Sequence, residues 1–317
     1  MSPFTMHQPL LPLKGIIPPL ITPLSDRDRI DGEGLRRLIE HVLAGGIHGL
    51  FLLGTSGEAP SLSHELQREF LKLACEIIDH RVVVLAGITD TAMTETLDFA
   101  EFALDVGVDG LVLAAPYYFP MHQLDLERYI RELAQELPLP FLLYNMPSHT
   151  KVDFGIDTVM ALLDLTNFVG VKDSSGNMHY FNKLIQLTHE RPDFSVLIGP
   201  EELLAEAVLM GANGGISGGA NLVPNLYVDL YDAALTGDLR DVQRLQQQLM
   251  RLSRLLYEVG TPPTGYLTGI KTALELAGLC SGRLAEPLYA MPKERRQKIQ
   301  QHMQDLGIFE MIVSSNN

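Results

Sequence analysis

The sequence lacks most of the features that would place it in a membrane, a disulfide-stabilised fold or a nucleic-acid complex. Only two of its 317 residues are cysteine, Cys75 and Cys280. They have neither a CxxC nor a metal-site spacing, so we expect two reduced, buried thiols. No apolar run approaches the roughly 18 residues of a membrane span. The net charge of −15 argues against the basic surface that nucleic acid or an anionic membrane requires.

Signals for export and for bound metal are also missing. Residues 1–14 are proline-rich and contain no basic segment followed by an apolar one, which predicts a cytoplasmic protein without a signal peptide. The ten histidines show no ligand spacing, so we predict no metal site.

Short β-rich runs alternate with amphipathic stretches through most of the chain. The predicted strands are residues 15–23, 49–54, 82–88, 110–116, 140–147, 168–174, 195–200 and 214–219. The predicted helices between and after them are 31–45, 63–79, 91–106, 125–137, 156–165, 177–190, 201–211, 225–234, 238–258, 264–278 and 292–306. Ser63 is the predicted N-cap of the second helix.

Eight strand–helix units of this kind predict a (β/α)8 TIM barrel with a C-terminal helical annex. A doubly wound sheet is the alternative, but the Gly-x-Gly-x-x-Gly turn that should follow its first strand is absent. We predict an N-terminal extension at 1–14, a catalytic barrel at 15–236 and a helical region at 237–317. Pro262-Pro263 predicts a turn between annex helices.

One lysine stands in an unusual place. Lys172 lies in the apolar run 168–176, and a buried strand rarely contains an amine. Taken alone, the run favours an exposed strand end, because lysine is seldom buried. If the amine is buried instead, its pKa is lowered, and a neutral amine can attack a ketone to form a Schiff base.

Polar groups follow several other predicted strands, and the chemistry of a (β/α)8 barrel sits at these strand ends. They are Gly-Thr-Ser-Gly-Glu at 54–58, Tyr-Tyr at 117–118, Tyr-Asn-Met-Pro at 144–147 and Gly-Ile-Ser-Gly-Gly at 215–219. Each alone has an ordinary structural explanation. Together they place hydroxyls, phenols and one amine around a single rim.

The motifs at 54–58, 144–147 and Gly-Val-Lys at 170–172, in this order and spacing, resemble one family. It is the dihydrodipicolinate synthase / N-acetylneuraminate lyase family of pyruvate-dependent class I aldolases. The match covers residues 15–219 and extends to the annex. The resemblance implies an imine between Lys172 and the 2-keto carbon of pyruvate or another 2-keto acid, with no cofactor. It also implies a homodimer or homotetramer.

The resemblance assigns roles to further residues of the rim. Tyr144 would be the general acid/base, assisted by the Thr55 hydroxyl and by Tyr118 from a neighbouring subunit. The keto-acid carboxylate would bind Thr55 and Ser56, at a turn into a helix. The Ile216 backbone would line the same pocket.

Several positions bear on the second half of the substrate. The synthase branch of the family has an arginine for the aldehyde carboxylate where this chain has His149, which cannot form a bidentate fork. Ser174 matches a hydroxyl of lyase-type members, and Glu201 and Glu202 match acidic groups that bind substrate hydroxyls. Gly218 stands where sialic-acid lyases have a hydroxyl residue. His149 is alternatively a rim residue without a role, and the glutamates are alternatively a helix first turn.

These departures favour a Schiff-base aldolase that forms or cleaves the carbon–carbon bond between pyruvate and an aldehyde. The joined compound would be a hydroxylated 2-keto-3-deoxy sugar acid. One alternative is the dihydrodipicolinate synthase reaction of pyruvate with aspartate semialdehyde, or a related 2-keto acid dehydratase. Another is an inactive barrel that serves as a binding protein. The joint presence of Lys172, Tyr144, Thr55 and Tyr118 disfavours that second alternative.

Overall fold

Eight parallel strands form the centre of the fold and confirm the predicted barrel. The computed structural model describes residues 12–187, 189–260 and 264–315, the last three as backbone only. In chain order the strands are β1 (Gly15–Ile16), β2 (Leu24–Asp26), β3 (Arg29–Ile30), β4 (Gly49–Leu52), β5 (Val83–Gly87), β6 (Gly110–Ala114), β7 (Phe141–Asn145), β8 (Phe168–Asp173), β9 (Ser195–Ile198) and β10 (Gly214–Gly215).

The strand order is that of a barrel. Neighbours pair in the sequence β1-β10-β9-β8-β7-β6-β5-β4, and β2 and β3 form a separate antiparallel hairpin. The segment after β1 reaches β4 through a parallel bridge between Pro19 and Phe51, which brings the two edges together. The strand ends that carry the predicted site therefore share one rim.

Helices surround the barrel and continue past it. They are α1 (Gly32–Ala44), α2 (His64–Ile78), α3 (Met93–Asp105), α4 (Gln123–Glu136), α5 (Pro147–Thr150), α6 (Ile156–Ala161), α7 (Met178–Leu187), α8 (Leu204–Leu209), α9 (Pro224–Thr236), α10 (Leu239–Tyr257), α11 (Gly265–Leu276), α12 (Lys293–Asp305) and α13 (Ile308–Ser315). No helix within the described ranges is long and apolar enough to cross a membrane.

Local chemistry explains where the helices begin. The Ser63 hydroxyl accepts the backbone N–H of Leu66 at 3.2 Å, which confirms the predicted N-cap of α2. The Asp31 carboxylate caps α1 in the same way, by accepting the N–H of Gly34 at 2.9 Å. Both helices then bury one apolar face in the core between the helices and the strands.

Several element boundaries differ from the sequence prediction. The first and last barrel strands are two residues long, which is shorter than the predicted runs 15–23 and 214–219. A 3-10 turn at Glu201–Leu203 precedes α8. The helices α5 and α13 and the β2–β3 hairpin are not predicted. The turn predicted at Pro262-Pro263 and most of the predicted N-terminal extension lie outside the described residues.

Two apolar cores lie on the two faces of the sheet. One fills the space between strands and helices, and the other fills the barrel with Leu13, Ile17, Phe51, Leu85, Val112, Ala114, Leu142, Tyr144, Val169, Leu197 and Ile216. Leu13 is buried in the inner core, and its backbone N–H donates to the Ser195 hydroxyl at 2.8 Å.

Candidate active site

A backbone irregularity points Lys172 into the barrel. Phe168 of β8 pairs with Phe141 and faces the outer core, so strict alternation would send Lys172 outward as well. The next pair is Leu142 with Gly170, which leaves Val169 as an extra residue. This bulge shifts the alternation by one position, and Lys172 turns inward beside Tyr144 of β7.

The Lys172 amine is buried among aromatic rings. The side chain is 3% exposed, so the interpretation of Lys172 as an exposed strand end is wrong. Its Nζ lies 3.8 Å from the centre of the Tyr144 ring and 5.0 Å from that of Phe51. Burial lowers the pKa of Lys172 below its ordinary value, and Tyr144 offsets this only in part. A low pKa favours the neutral, nucleophilic amine.

The surroundings of the Tyr144 phenol lower its pKa, which favours proton transfer. Its hydroxyl lies 3.2 Å from the Thr55 hydroxyl. Burial by itself would raise the pKa of Tyr144, but the charge of Lys172 and hydrogen bonds with Thr55, Ser174 and Lys172 outweigh it and lower that pKa. Amine and phenol are therefore placed so that a proton could pass between them at the rim.

A tight turn after β4 carries Thr55 and Ser56. The chain passes from this turn through a 3-10 turn at Ala59–Ser61 into α2, which begins at His64. Glu58 closes the turn in the left-handed conformation, with φ of 56°.

Glu58 ties this turn to the annex. Its buried carboxylate pairs with the buried Lys271 of α11, and its second oxygen accepts the N–H of Ala285 at 2.8 Å. Lys271 also donates to the carbonyl of Arg283 at 2.6 Å. The turn that carries Thr55 and Ser56 is thus anchored to annex residues through Glu58.

Two cavities meet at Tyr144. The smaller, of about 230 Å³, is lined by residues of the annex and of every rim motif except the tyrosine pair at 117–118: Pro19, Ile21, Thr55, Ser56, Tyr144, Met146, Lys172, Ser174, Gly199, Pro200, Glu201, Glu202, Ile216, Gly218, Tyr257, Tyr266 and Ile270. The larger, of about 550 Å³, shares Thr55, Tyr144 and Met146 with it. The phenol therefore faces both spaces.

His149 lies on the larger cavity rather than beside Lys172. Its Nε2 is 3.1 Å from the Tyr266 hydroxyl, and its Nδ1 is 3.0 Å from the hydroxyl of Ser148. Burial, and secondarily the charge of Lys151, lower the pKa of His149, so the ring is neutral at neutral pH. Lys151 lines the same cavity in a left-handed conformation, with φ of 64°.

The two glutamates after β9 point at the annex as well as the cavity. The Glu201 carboxylate accepts hydrogen bonds from Tyr227 at 2.5 Å, from Tyr257 at 2.9 Å and from the N–H of Gly219 at 2.8 Å. Glu202 is half-buried, and its carboxylate accepts the Ser253 hydroxyl.

Tyr118 is the one predicted catalytic residue that the protomer keeps away from both cavities. Its side chain is 74% exposed and packs edge-on against Phe119, which is 75% exposed. The neighbouring Tyr117 lines the larger cavity instead. An exposed tyrosine is available to a second copy of the chain, as the predicted role requires.

The sequence analysis did not predict several residues that hold or line the site, at the end of β8 and in the annex. Asp173 is fully buried and accepts from Asn145 at 2.8 Å and from the Ser175 hydroxyl at 3.0 Å, which fixes the strand end beside Lys172. Tyr257 and Tyr266 reach the smaller cavity from α10 and α11. The adjacency of Asp173 to Lys172 was a usable signal, whereas nothing local marks the two tyrosines.

This arrangement defines a class of protein. A buried amine of lowered pKa, a phenol that can move its proton and a small polar cavity at the rim of a (β/α)8 barrel are the elements of a Schiff-base enzyme. Within the described ranges, no group of three or more His, Cys, Asp or Glu side chains is placed to hold a metal ion.

Comparison with known proteins identifies the family. The family model "Dihydrodipicolinate synthetase family" matches residues 12–306, and the chain belongs to that family. A 4-hydroxy-tetrahydrodipicolinate synthase from Methanosarcina barkeri is 35% identical, over 94% of this chain and 99% of the relative.

Solved structures agree. A dihydrodipicolinate synthase from Bacteroides thetaiotaomicron is 47% identical with a TM-score of 0.91, over 93% of this chain and 99% of that one. YagE, a prophage protein of the dihydrodipicolinic acid synthase family from E. coli K12 solved in complex with pyruvate, is 30% identical with a TM-score of 0.88 and the same coverage.

Proposed function

We propose that the chain forms an imine between Lys172 and pyruvate and uses the derived enamine to make or break a carbon–carbon bond with an aldehyde. The observation that carries this proposal is the burial of the Lys172 amine against the Tyr144 phenol. Pyruvate bound to the related YagE supports the choice of keto acid.

The chemistry follows from these positions. The neutral amine adds to C2 of pyruvate, and the carbinolamine loses water as Tyr144 gives a proton to its hydroxyl. The protonated imine then draws electrons from C3 as that carbon gives a proton to the Tyr144 oxygen. The enamine attacks the aldehyde carbon, and Tyr144 gives its proton to the aldehyde oxygen. Water then releases the product from Lys172. We assign the pyruvate carboxylate to Thr55 and Ser56, beside the backbone of Ile216.

The aldehyde partner is the second question. Relatives named 4-hydroxy-tetrahydrodipicolinate synthase support the synthase reaction over the sugar-acid cleavage that the sequence favours. A carboxylated aldehyde needs a cation, and His149 is neutral. Lys151 supplies one on the same cavity, two residues further along the chain. We therefore put the synthase reaction first, with Lys151 in the role of the missing arginine.

Cleavage of a hydroxylated 2-keto-3-deoxy acid is the second candidate. It is supported by the polar groups on the smaller cavity, where Ser174 and Glu202 line the same space as Lys172 and are suited to bind hydroxyl groups. Lys172 is the one basic side chain among the described residues that line this cavity.

Reductive trapping tests the shared step. Incubation with pyruvate and borohydride should add a reduced pyruvyl group to the peptide that contains Lys172, and Lys172→Ala should abolish the adduct. Lys271 is the internal control, because it is equally buried but paired with Glu58. Trapping on Lys271, or no trapping at all, would refute the imine. Turnover of pyruvate with aspartate semialdehyde, against pyruvate release from 2-keto-3-deoxy acids, then separates the two reactions.

We further propose that Tyr118 completes the site of a second copy of the chain. Its exposure and the family resemblance support this assignment. Tyr118→Phe and Lys172→Ala should each be inactive alone, whereas a mixture of the two should regain activity, because a mixed dimer contains one intact site. Sedimentation gives the assembly state. A mixture that remains inactive although mixed dimers form would refute the shared site.

A further inference from the structure

One buried carboxylate joins three parts of the molecule beside the candidate site. Glu201 is 4% exposed and begins the 3-10 turn after β9. Its Oε1 accepts the hydroxyl of Tyr227 from α9. Its Oε2 accepts both the hydroxyl of Tyr257 from α10 and the backbone N–H of Gly219. In all three bonds the carboxylate accepts and its partner donates.

The Gly219 bond matters because of where that glycine lies. Gly218 and Gly219 form the turn that follows Ile216, and Gly218 lines the smaller cavity. A side-chain carbon on Gly218 would lie 3.7 Å from the Ser56 hydroxyl and 3.2 Å from that of Tyr257. The turn is thus the wall of the cavity that faces Ser56.

The network packs tightly against Gly219. A Cβ on Gly219 would come within 2.0 Å of the Tyr227 hydroxyl and 2.8 Å of Glu201 Oε1. The other side of the turn is held by Asn221, whose amide donates to the carbonyls of Gly218 at 2.9 Å and Pro19 at 3.0 Å. The position of the turn therefore depends on Glu201 and Asn221 together.

We propose that Glu201 is a positioning residue whose ionised carboxylate, aligned by Tyr227 and Tyr257, holds the Gly218–Gly219 turn in the place that pyruvate binding requires. It acts through the turn, since its oxygens are already occupied by three donors. The inference rests on the proposed imine chemistry.

Protonation of Glu201 disturbs this arrangement. Burial, and secondarily the charge of Glu202, raise the pKa of Glu201 to about 7, although its hydrogen bonds oppose the rise. The facing titratable groups are Glu202 on the same segment, Tyr227 on α9 and Tyr257 on α10. The pKa of each phenol is raised by burial and by Glu201, so both remain donors. A protonated acid adds a fourth donor, so one bond must break or reverse.

The experiment compares wild type with Glu201→Gln, which resembles the protonated acid at every pH. We measure the rate of pyruvyl adduct formation at limiting pyruvate with cyanoborohydride, from about pH 5.5 to 8.5. As the pH rises over this range, the trapping rate of wild type divided by that of the variant should increase from about one to about ten. The midpoint of this increase should lie near pH 7. The titration of Lys172 is common to both proteins and cancels. Glu206→Gln, an exposed neighbour on α8, is the matched control.

A second variant keeps the test informative if Glu201→Gln folds poorly. Tyr227→Phe removes a hydrogen bond that lowers the pKa of Glu201, so that pKa should rise. The fall in trapping rate on the acid side of the pH profile should therefore begin at a higher pH than in wild type. A pH-independent ratio for Glu201→Gln, or an unmoved limb in Tyr227→Phe, would overturn the inference. Failure of wild type to trap pyruvate would instead overturn the proposed function.

Discussion

Removal of the Lys271 amine tests how the annex supports the turn that carries Thr55 and Ser56. Lys271 and Glu58 both have fully buried side chains and pair directly. In Lys271→Met the Glu58 carboxylate keeps the Ala285 N–H but loses its counter-charge, and the Arg283 carbonyl loses its donor. Breaking a buried pair of this kind costs about 3 to 5 kcal/mol, and the lost carbonyl bond adds about 1 kcal/mol.

The double variant Glu58→Gln/Lys271→Met sharpens the prediction. It removes both charges, so most of the loss should be recovered, with a coupling energy of about 3 kcal/mol. Urea unfolding at neutral pH measures the free energies, and Lys183→Met, at an exposed position of α7, is the control. A loss below about 1 kcal/mol in Lys271→Met, or strict additivity in the double variant, would refute the reasoning.

Three further predictions concern the site itself. The unfolding free energy of wild type, relative to that of Glu201→Gln, should fall by about 3 kcal/mol between pH 4.5 and pH 8, because the folded pKa of about 7 lies above the ordinary 4.5 and ionisation opposes folding. The difference between the two proteins should level off below pH 4.5 in pH-dependent urea unfolding; a difference that does not change with pH contradicts the prediction. Tyr144→Phe should lower kcat by about 100-fold or more while weak trapping of pyruvate persists, and full turnover would remove the phenol from the mechanism. Lys151→Gly removes the strain of a left-handed backbone conformation, so the free energy of unfolding should rise by up to about 1 kcal/mol. In the same variant kcat/KM should fall for aspartate semialdehyde and not for uncharged aldehydes. An equal fall for both kinds of aldehyde would exclude Lys151 from carboxylate binding.

The rhythm of strands and helices was predictable from the sequence because apolar periodicity and caps such as Ser63 act over a few residues. The inward orientation of Lys172 was not, because it depends on the extra residue at Val169, which becomes visible only when β7 and β8 are paired. The family resemblance pointed to that orientation only indirectly, because it assigns the imine to Lys172.

The annex contribution was equally hidden. Tyr257 and Tyr266 lie more than 80 residues after Lys172 along the chain, and Lys271 looks like any helical lysine until Glu58 is placed beside it. Long-range pairs of this kind leave no local pattern. The division of the chain at residue 236 stays a prediction about folding, but the smaller cavity takes walls from both sides of it.

The pairing of Glu58 with Lys271 has a consequence for protein engineering. Chimeras that exchange the C-terminal helices between relatives treat the barrel as a self-sufficient cassette. In this chain such an exchange at residue 236 would separate Glu58 from its partner and Glu201 from Tyr257. A graft that transfers the helices together with the 54–58 turn and the segment after β9 should preserve both contacts, so the exchangeable unit is a set of paired residues rather than a length of sequence.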